Sequence, residues 1–165
     1  MEPGSYFTTP DNLHLACGRL QYSPVWKDTL QLNYVRTDVQ RTMIDELCSV
    51  ARRCDGVRCD TAIAVLKDVF NRAWGELAGI MEDEFWKKAI AEVKQNCRDF
   101  LFLAEVYGER EWYLQCLGFD FTYDKVLYDR MVGRDVPAIK QHLQADWDFV
   151  RKLVRFTENH DWPVD

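Results

Sequence analysis

No apolar run in this chain approaches the roughly 20 residues needed to span a bilayer, and the opening Met1, Glu2, Pro3 and Gly4 lack the basic and apolar regions of a secretory leader. A membrane span is excluded, and the sequence as written reads as a cytoplasmic product. No CxxC pair occurs among the six cysteines: Cys48, Cys54 and Cys59 fall at spacings unlike a metal knuckle, so no metal site is assigned and most thiols are expected to be buried. Blocks of like charge are missing too. The net charge of -6 arises from interspersed acids and bases, which offers no electrostatic footprint for nucleic acid or an anionic membrane surface. What is present is the make-up of a globular protein of one domain's length: 165 residues, 47% hydrophobic and 29% charged.

Residues 1–34 mix Gly, Pro, Asn and aromatics without either regular hydrophobic period and read as an irregular segment. A helix is predicted next. Thr37 and Gln40 fit a capping box, and Val39, Met43, Leu47 and Val50 or Ala51 share one helical face. Gly56 to Asp60 then forms a short strand ending in a carboxylate. Helices are predicted over about 68–80 and 83–96, followed by the apolar run from Phe100 to Ala104, which stops at Glu105 and has the look of a parallel strand covered on both faces. A short helix near 112–117, a strand at 119–123 and a long helix over about 135–154 come next, the last with Pro137 in its first turn. A final strand from Val154 leads to Asp161.

Alternating helices and strands imply parallel strands joined by right-handed crossovers, in an open sheet or an eight-stranded barrel. A barrel takes about 250 residues, so about four strand-helix units make half of one and the chain looks incomplete. Three strands end in acids: Asp60, Glu105 and Asp161. Strand C-termini share one face in such folds, so these acids can converge on one substrate. Glycoside hydrolysis needs that convergence, because one carboxylate attacks the anomeric carbon while a second protonates the departing oxygen, the two about 5 to 5.5 Å apart in a retaining enzyme. Capping of following helices is the plainer role for any one acid alone.

The run Gly56, Val57, Arg58, Cys59, Asp60 resembles the segment that ends the fourth barrel strand in the α-amylase family of glycoside hydrolases. Ala104, Glu105, Val106 and Tyr107 resemble the fifth-strand segment bearing that family's acid, and Phe156 to Asp161 resembles its seventh-strand Asn-His-Asp. Thr29, Leu30, Gln31, Leu32 and Asn33 are similar to the motif closing the family's excursion domain, and Gly118 to Phe121 with Tyr123 and Asp124 would fall on strand six. The resemblance implies a partial (β/α)8 TIM barrel: residues 1–34 as a remnant of the excursion domain and 35–165 as half of the catalytic barrel.

It also implies roles. Asp60 would be the nucleophile, with Arg58 on the same side of the strand keeping it ionised. Glu105 would be the acid and then base, its pKa raised by neighbouring carboxylates and partial desolvation. Asp161 would grip hydroxyls and stabilise the oxocarbenium-like transition state beside His160, while Asn159 shapes the turn. Tyr107 and Trp112 could stack on a glucosyl ring or pack as core or lid. The implied substrate is an α-glucan or maltooligosaccharide, and the chemistry hydrolysis or, with the same carboxylates, transglycosylation; an inactive truncated remnant is the reading outside enzymes. The family's third-strand Asp-(three residues)-Asn-His does not occur before Tyr34, and Trp162 stands where many relatives have a polar residue. Calcium often ties the excursion domain to the barrel in this family, but most expected ligands would lie upstream, so no cofactor is assigned. A half barrel leaves strand edges exposed, which invites association.

Overall fold

The computed structural model describes residues 5–21 and 23–161; the leader reading at residues 1–4 and the position of Trp162 lie outside them. The chain divides into two compact units, one built from the residues up to Glu46 together with Ala64–Phe85, the other from Leu47–Ile63 and the residues from Trp86 onward.

In the first unit, β1 (Tyr6–Thr8), β2 (His14–Gly18) and β3 (Trp26–Leu30) form an antiparallel sheet in that order. The segment read as irregular is therefore partly a meander. Its strands are three to five residues long and carry no in-out alternation, β3 being exposed at four successive positions, so no period-two signal exists to find. The hairpin between β1 and β2 turns at Asn12, whose φ of 65° suits asparagine. Helix α1 (Thr37–Ala51) begins where predicted, with Ile44 and Ala51 buried and Val39, Met43 and Leu47 half-buried. Its capping differs from the box: the Gln40 side-chain amide donates to the Tyr34 carbonyl at 2.6 Å, and Asn33 accepts from the Val35 N–H at 3.0 Å. Helix α2 (Lys67–Ala78) takes a cap from a distance, Glu84 accepting from the Lys67 N–H at 3.1 Å. Phe70 is wholly buried in an aromatic cluster, its ring 6.2 Å from that of Tyr34, which meets Phe85 at 4.9 Å.

The second unit holds four parallel strands in sequence order: β4 (Gly56–Cys59), β5 (Leu101–Ala104), β6 (Phe121–Tyr123) and β7 (Leu153–Val154). Helix α3 (Phe85–Asn96) and α4 (Glu111–Cys116) supply the connections on either side of β5. Gly56 stands opposite Leu101, where an added Cβ would come within 2.9 Å of the Leu101 carbonyl oxygen, so only glycine permits this approach of the strands. The pleat sorts the side chains. Cys59, Phe102, Ala104, Thr122 and Leu153 point to one face and are buried against the helices, with Phe119, Trp86 and Val93 filling that layer. Arg58, Leu103, Phe121, Tyr123 and Val154 share the other face with Leu101 and stay partly exposed. Here β5 departs from the expectation of cover on both sides: Leu101 is 46% exposed while Phe102 is 0% exposed. A parallel sheet with one face buried against helices and the other partly exposed among the described residues is an arc of a (β/α)8 barrel.

The long helix expected over 135–154 is broken. Helix α5 (Lys125–Val132), unforeseen, is followed by α6 (Val136–Leu143), α7 (Trp147–Val150) and then β7. Asp124, Asp135 and Asp146 each cap one of these helices by accepting from backbone N–H groups of Leu127, Ala138 and Asp148. Val136, Leu143 and Trp147, which fall at helical spacing in this stretch, are all exposed, while Val150 is buried. The thiols also differ from expectation: Cys17 and Cys59 are buried, Cys48 and Cys97 half-buried, Cys54 and Cys116 exposed, and all six are free.

Because Phe102 packs its ring 5.2 Å from Phe100 and 6.1 Å from Phe119, Phe102→Ala should lower unfolding free energy by about 3–5 kcal/mol. Leu101→Ala, on the open face, should cost less than about 1 kcal/mol. Urea denaturation followed by circular dichroism measures both.

Candidate active site

The site forms at the C-terminal edge of the four-stranded sheet, within the second unit. The β4–β5 ladder continues past the strands, the Glu105 N–H donating to the Cys59 carbonyl and the Ala62 N–H to the Glu105 carbonyl, both at 3.0 Å. That continuation fixes the backbone of Glu105 beside Asp60. Arg58, one pleat back on the open face, projects toward the same edge.

Its guanidinium joins all three predicted acids. Nη1 pairs with Asp60, Nη2 lies 3.0 Å from Glu105 Oε1, and the same Nη2 lies 3.9 Å from Asp161 Oδ2. Nε donates to the Tyr123 hydroxyl at 3.3 Å, and the guanidinium carbon stands 5.6 Å from the centre of the Tyr123 ring. Burial opposes the charged form of Arg58, but the hydrogen bond to Tyr123, the charge of Glu105 and the hydrogen bond to Asp60 outweigh it, and the pKa rises above that of an ordinary arginine. The guanidinium is a fixed positive charge.

The three acids differ in setting. The Glu105 side chain is only 3% exposed, and it accepts from the Thr61 N–H at 2.5 Å, from the Thr61 hydroxyl at 3.3 Å and from the Tyr107 hydroxyl. To aim its N–H there, Thr61 adopts a φ of 39°, a left-handed conformation costly for a β-branched residue. Asp60 is 75% exposed and Asp161 46% exposed. Asp161 is held by a turn in which the Asn159 side chain accepts its N–H at 2.9 Å, and His160 Nε2 lies 3.1 Å from Asp161 Oδ2. Asn159 thus shapes the turn.

Arg58, Asp60, Glu105, Tyr107, His160 and Asp161 are therefore brought into one connected group. Tyr107, singled out for stacking on sugar, has its hydroxyl on Glu105. Two members are not read as site residues from the sequence: Thr61, whose contribution is a backbone conformation, and Tyr123, which the sequence places on strand six but which needs the register to put it on the Arg58 face. Among the described residues, no group of three His, Cys, Asp or Glu side chains is placed to hold a metal ion, and no helix is long and apolar enough to cross a membrane.

An arc of parallel strands flanked by helices is a partial (β/α)8 barrel, and solved structures carry the same fold. An α-amylase from Lactobacillus plantarum superimposes with a TM-score of 0.59 at 24% identity, over 96% of this chain and 38% of that one. An Anoxybacillus α-amylase gives 0.58 at 18% identity, over 81% and 29%. A noncanonic maltogenic α-amylase from Thermotoga neapolitana gives 0.58 at 21% identity, over 98% and 34%. The chain spans little more than a third of these proteins at most. No family model matches the chain, and no curated protein does.

Two consequences can be measured. Burial pushes the Cys59 thiol up to about 12, against the opposing charge of Arg58, so Cys59 stays a thiol throughout the neutral range. At pH 8, iodoacetamide followed by peptide mass spectrometry should label Cys54 and Cys116 and spare Cys59. Replacing Arg58 by Met leaves Glu105 buried without its cation, and should destabilise the chain by about 3 kcal/mol in urea denaturation.

Proposed function

We propose that this chain carries the catalytic carboxylates of a retaining glycoside hydrolase acting on the α-glucosidic bonds of maltooligosaccharides or starch-like glucans. The observation that carries the reading is the single guanidinium of Arg58 within ion-pair reach of Asp60, Glu105 and Asp161, two acids at the ends of β4 and β5 and one from the turn that follows β7. Acids that serve only as helix caps have no reason to meet on one cation.

In this reading Asp60 attacks the anomeric carbon as the leaving oxygen takes a proton from Glu105, giving a covalent glucosyl ester on Asp60. Glu105 then draws a proton from water, which attacks the ester and releases the sugar with its configuration retained. Asp161, with His160 beside it, accepts hydrogen bonds from ring hydroxyls as positive charge develops on the sugar. Arg58 keeps three neighbouring acids from repelling one another apart, and Thr61 and Tyr107 hold Glu105 in place. A closed barrel has eight strands, so turnover belongs to this arc together with strands that complete it.

The covalent step can be tested on the chain itself. Incubation with an activated 5-fluoro-α-glucosyl fluoride, quenched in acid, should leave a hexosyl adduct on the peptide containing Asp60, and Asp60→Asn should leave none. In a barrel completed with the missing strands, Asp60→Asn should lower kcat on maltooligosaccharides by on the order of 10⁴. Undiminished hydrolysis by that variant would sink the assignment.

A further inference from the structure

Apart from the carboxylates that Arg58 gathers, the second unit contains a cavity of about 190 Å³ between the start of α4, the end of β6, and helices α6 and α7. Its lining includes three buried polar residues, Glu111, Asp124 and His142, exposed by 4%, 1% and 8%. Asp124 is well partnered: His142 Nε2 lies 2.8 Å from its Oδ1, and Arg155 Nε lies 3.6 Å from its Oδ2. Glu111 is not. Its Oε1 is buried without a hydrogen-bond partner, a condition that costs about 1–3 kcal/mol unless something enters to satisfy it.

The chemistry of this wall narrows what can bind there. Burial pushes the pKa of Glu111 up, with the charges of Asp124 and Glu109 adding to it and its own backbone N–H and His142 opposing. The orphaned oxygen calls for a donor, and a sugar hydroxyl supplies one. The rest of the wall is Glu109 and three apolar or aromatic residues, Val126, Phe149 and Trp112, the last 55% exposed with its ring 6.1 Å from that of Phe149 at 79°. An indole held edge-on by a neighbour and left open on its flank is a platform for the apolar face of a sugar ring. The volume suits one ring rather than a chain.

We propose that this cavity is a second sugar-binding site, which takes one glucosyl unit against Trp112 with a hydroxyl on Glu111. Its ligand class rests on the glucan reading above, but its geometry does not involve Arg58 or the three acids. The site anchors a glucan strand near the reacting bond without joining the chemistry.

Maltose titration of the full chain, followed by NMR of the Trp112 indole N–H, tests it; the signal is assigned by its loss in Trp112→Ala. The Trp112 signal should move on titration, with the same midpoint in Asp60→Asn and a midpoint raised about tenfold in Glu111→Gln. Calorimetry with Trp112→Ala, a change at an exposed position, should show the same weakening. A Trp112 signal unmoved at about 100 mM maltose, or a midpoint untouched by Glu111→Gln in a variant whose spectrum remains dispersed, overturns the second site. The hydrolase reading would stand in that case if Asp60 still forms its adduct. A moving Trp112 signal with no adduct on Asp60 would keep the second site and sink the hydrolase.

Discussion

The carboxyl edge of the sheet depends on one cation. Asp60 and Glu105 follow the ends of β4 and β5 and Asp161 comes from the turn beyond β7, and acids gathered on one edge repel one another unless a positive charge stands among them. Arg58 supplies it from the open face of β4, and its own burial is made tolerable by the Tyr123 hydroxyl and ring on β6. The arrangement requires β4, β5 and β6 in their observed register, because a one-residue slip would send Arg58 or Tyr123 to the helix face. Packing of Phe102, Ala104 and Thr122 against the helices holds that register. The apolar layer thus governs the electrostatics of a site on the opposite side of the sheet.

The two faces of the sheet have different histories of burial. The helix face is filled by aromatic rings at edge-to-face distances, Trp86 to Phe119 at 5.0 Å and Phe102 to Phe119 at 6.1 Å. The other face carries Leu101, Leu103 and Phe121 into partial exposure, although their apolar character is that of an interior. A sequence that puts leucine and phenylalanine where this arc leaves them uncovered is written for a closed barrel, in which those side chains would form interior layers. The share of the α-amylase structures that this chain spans, 29% to 38%, agrees with an arc of that size.

How far the sequence could be read follows from which signals are local. The strand from Leu101 announced itself as a short apolar run ending in an acid, and α2 and α3 lie within a few residues of their predicted bounds. The antiparallel meander of β1 to β3 gave no such signal, because its pairing sets the strands while its side chains stay largely exposed. The stretch from 135 to 154 gave a false one. A helical period ran through it, but Asp135 and Asp146 begin new helices there by capping, and a cap at the start of a turn overrides a spacing that packing never uses. Arg58, Asp60, Glu105 and Asp161 were legible as residue types at strand ends. Thr61 was not, since its part is a backbone angle, and Tyr123 needed a strand register that no single segment specifies.

Burial then separates acids that share the same cation. Glu105 is enclosed, with donors from Thr61 and Tyr107 fixing both of its oxygens, whereas Asp60 keeps a single partner and stands open. An enclosed carboxyl is aimed by its surroundings. An open one on a strand terminus stays reachable from solvent. The difference in setting comes in part from the strained turn at Thr61: without its left-handed backbone the N–H would not face Glu105, and the enclosed acid would lose a backbone donor.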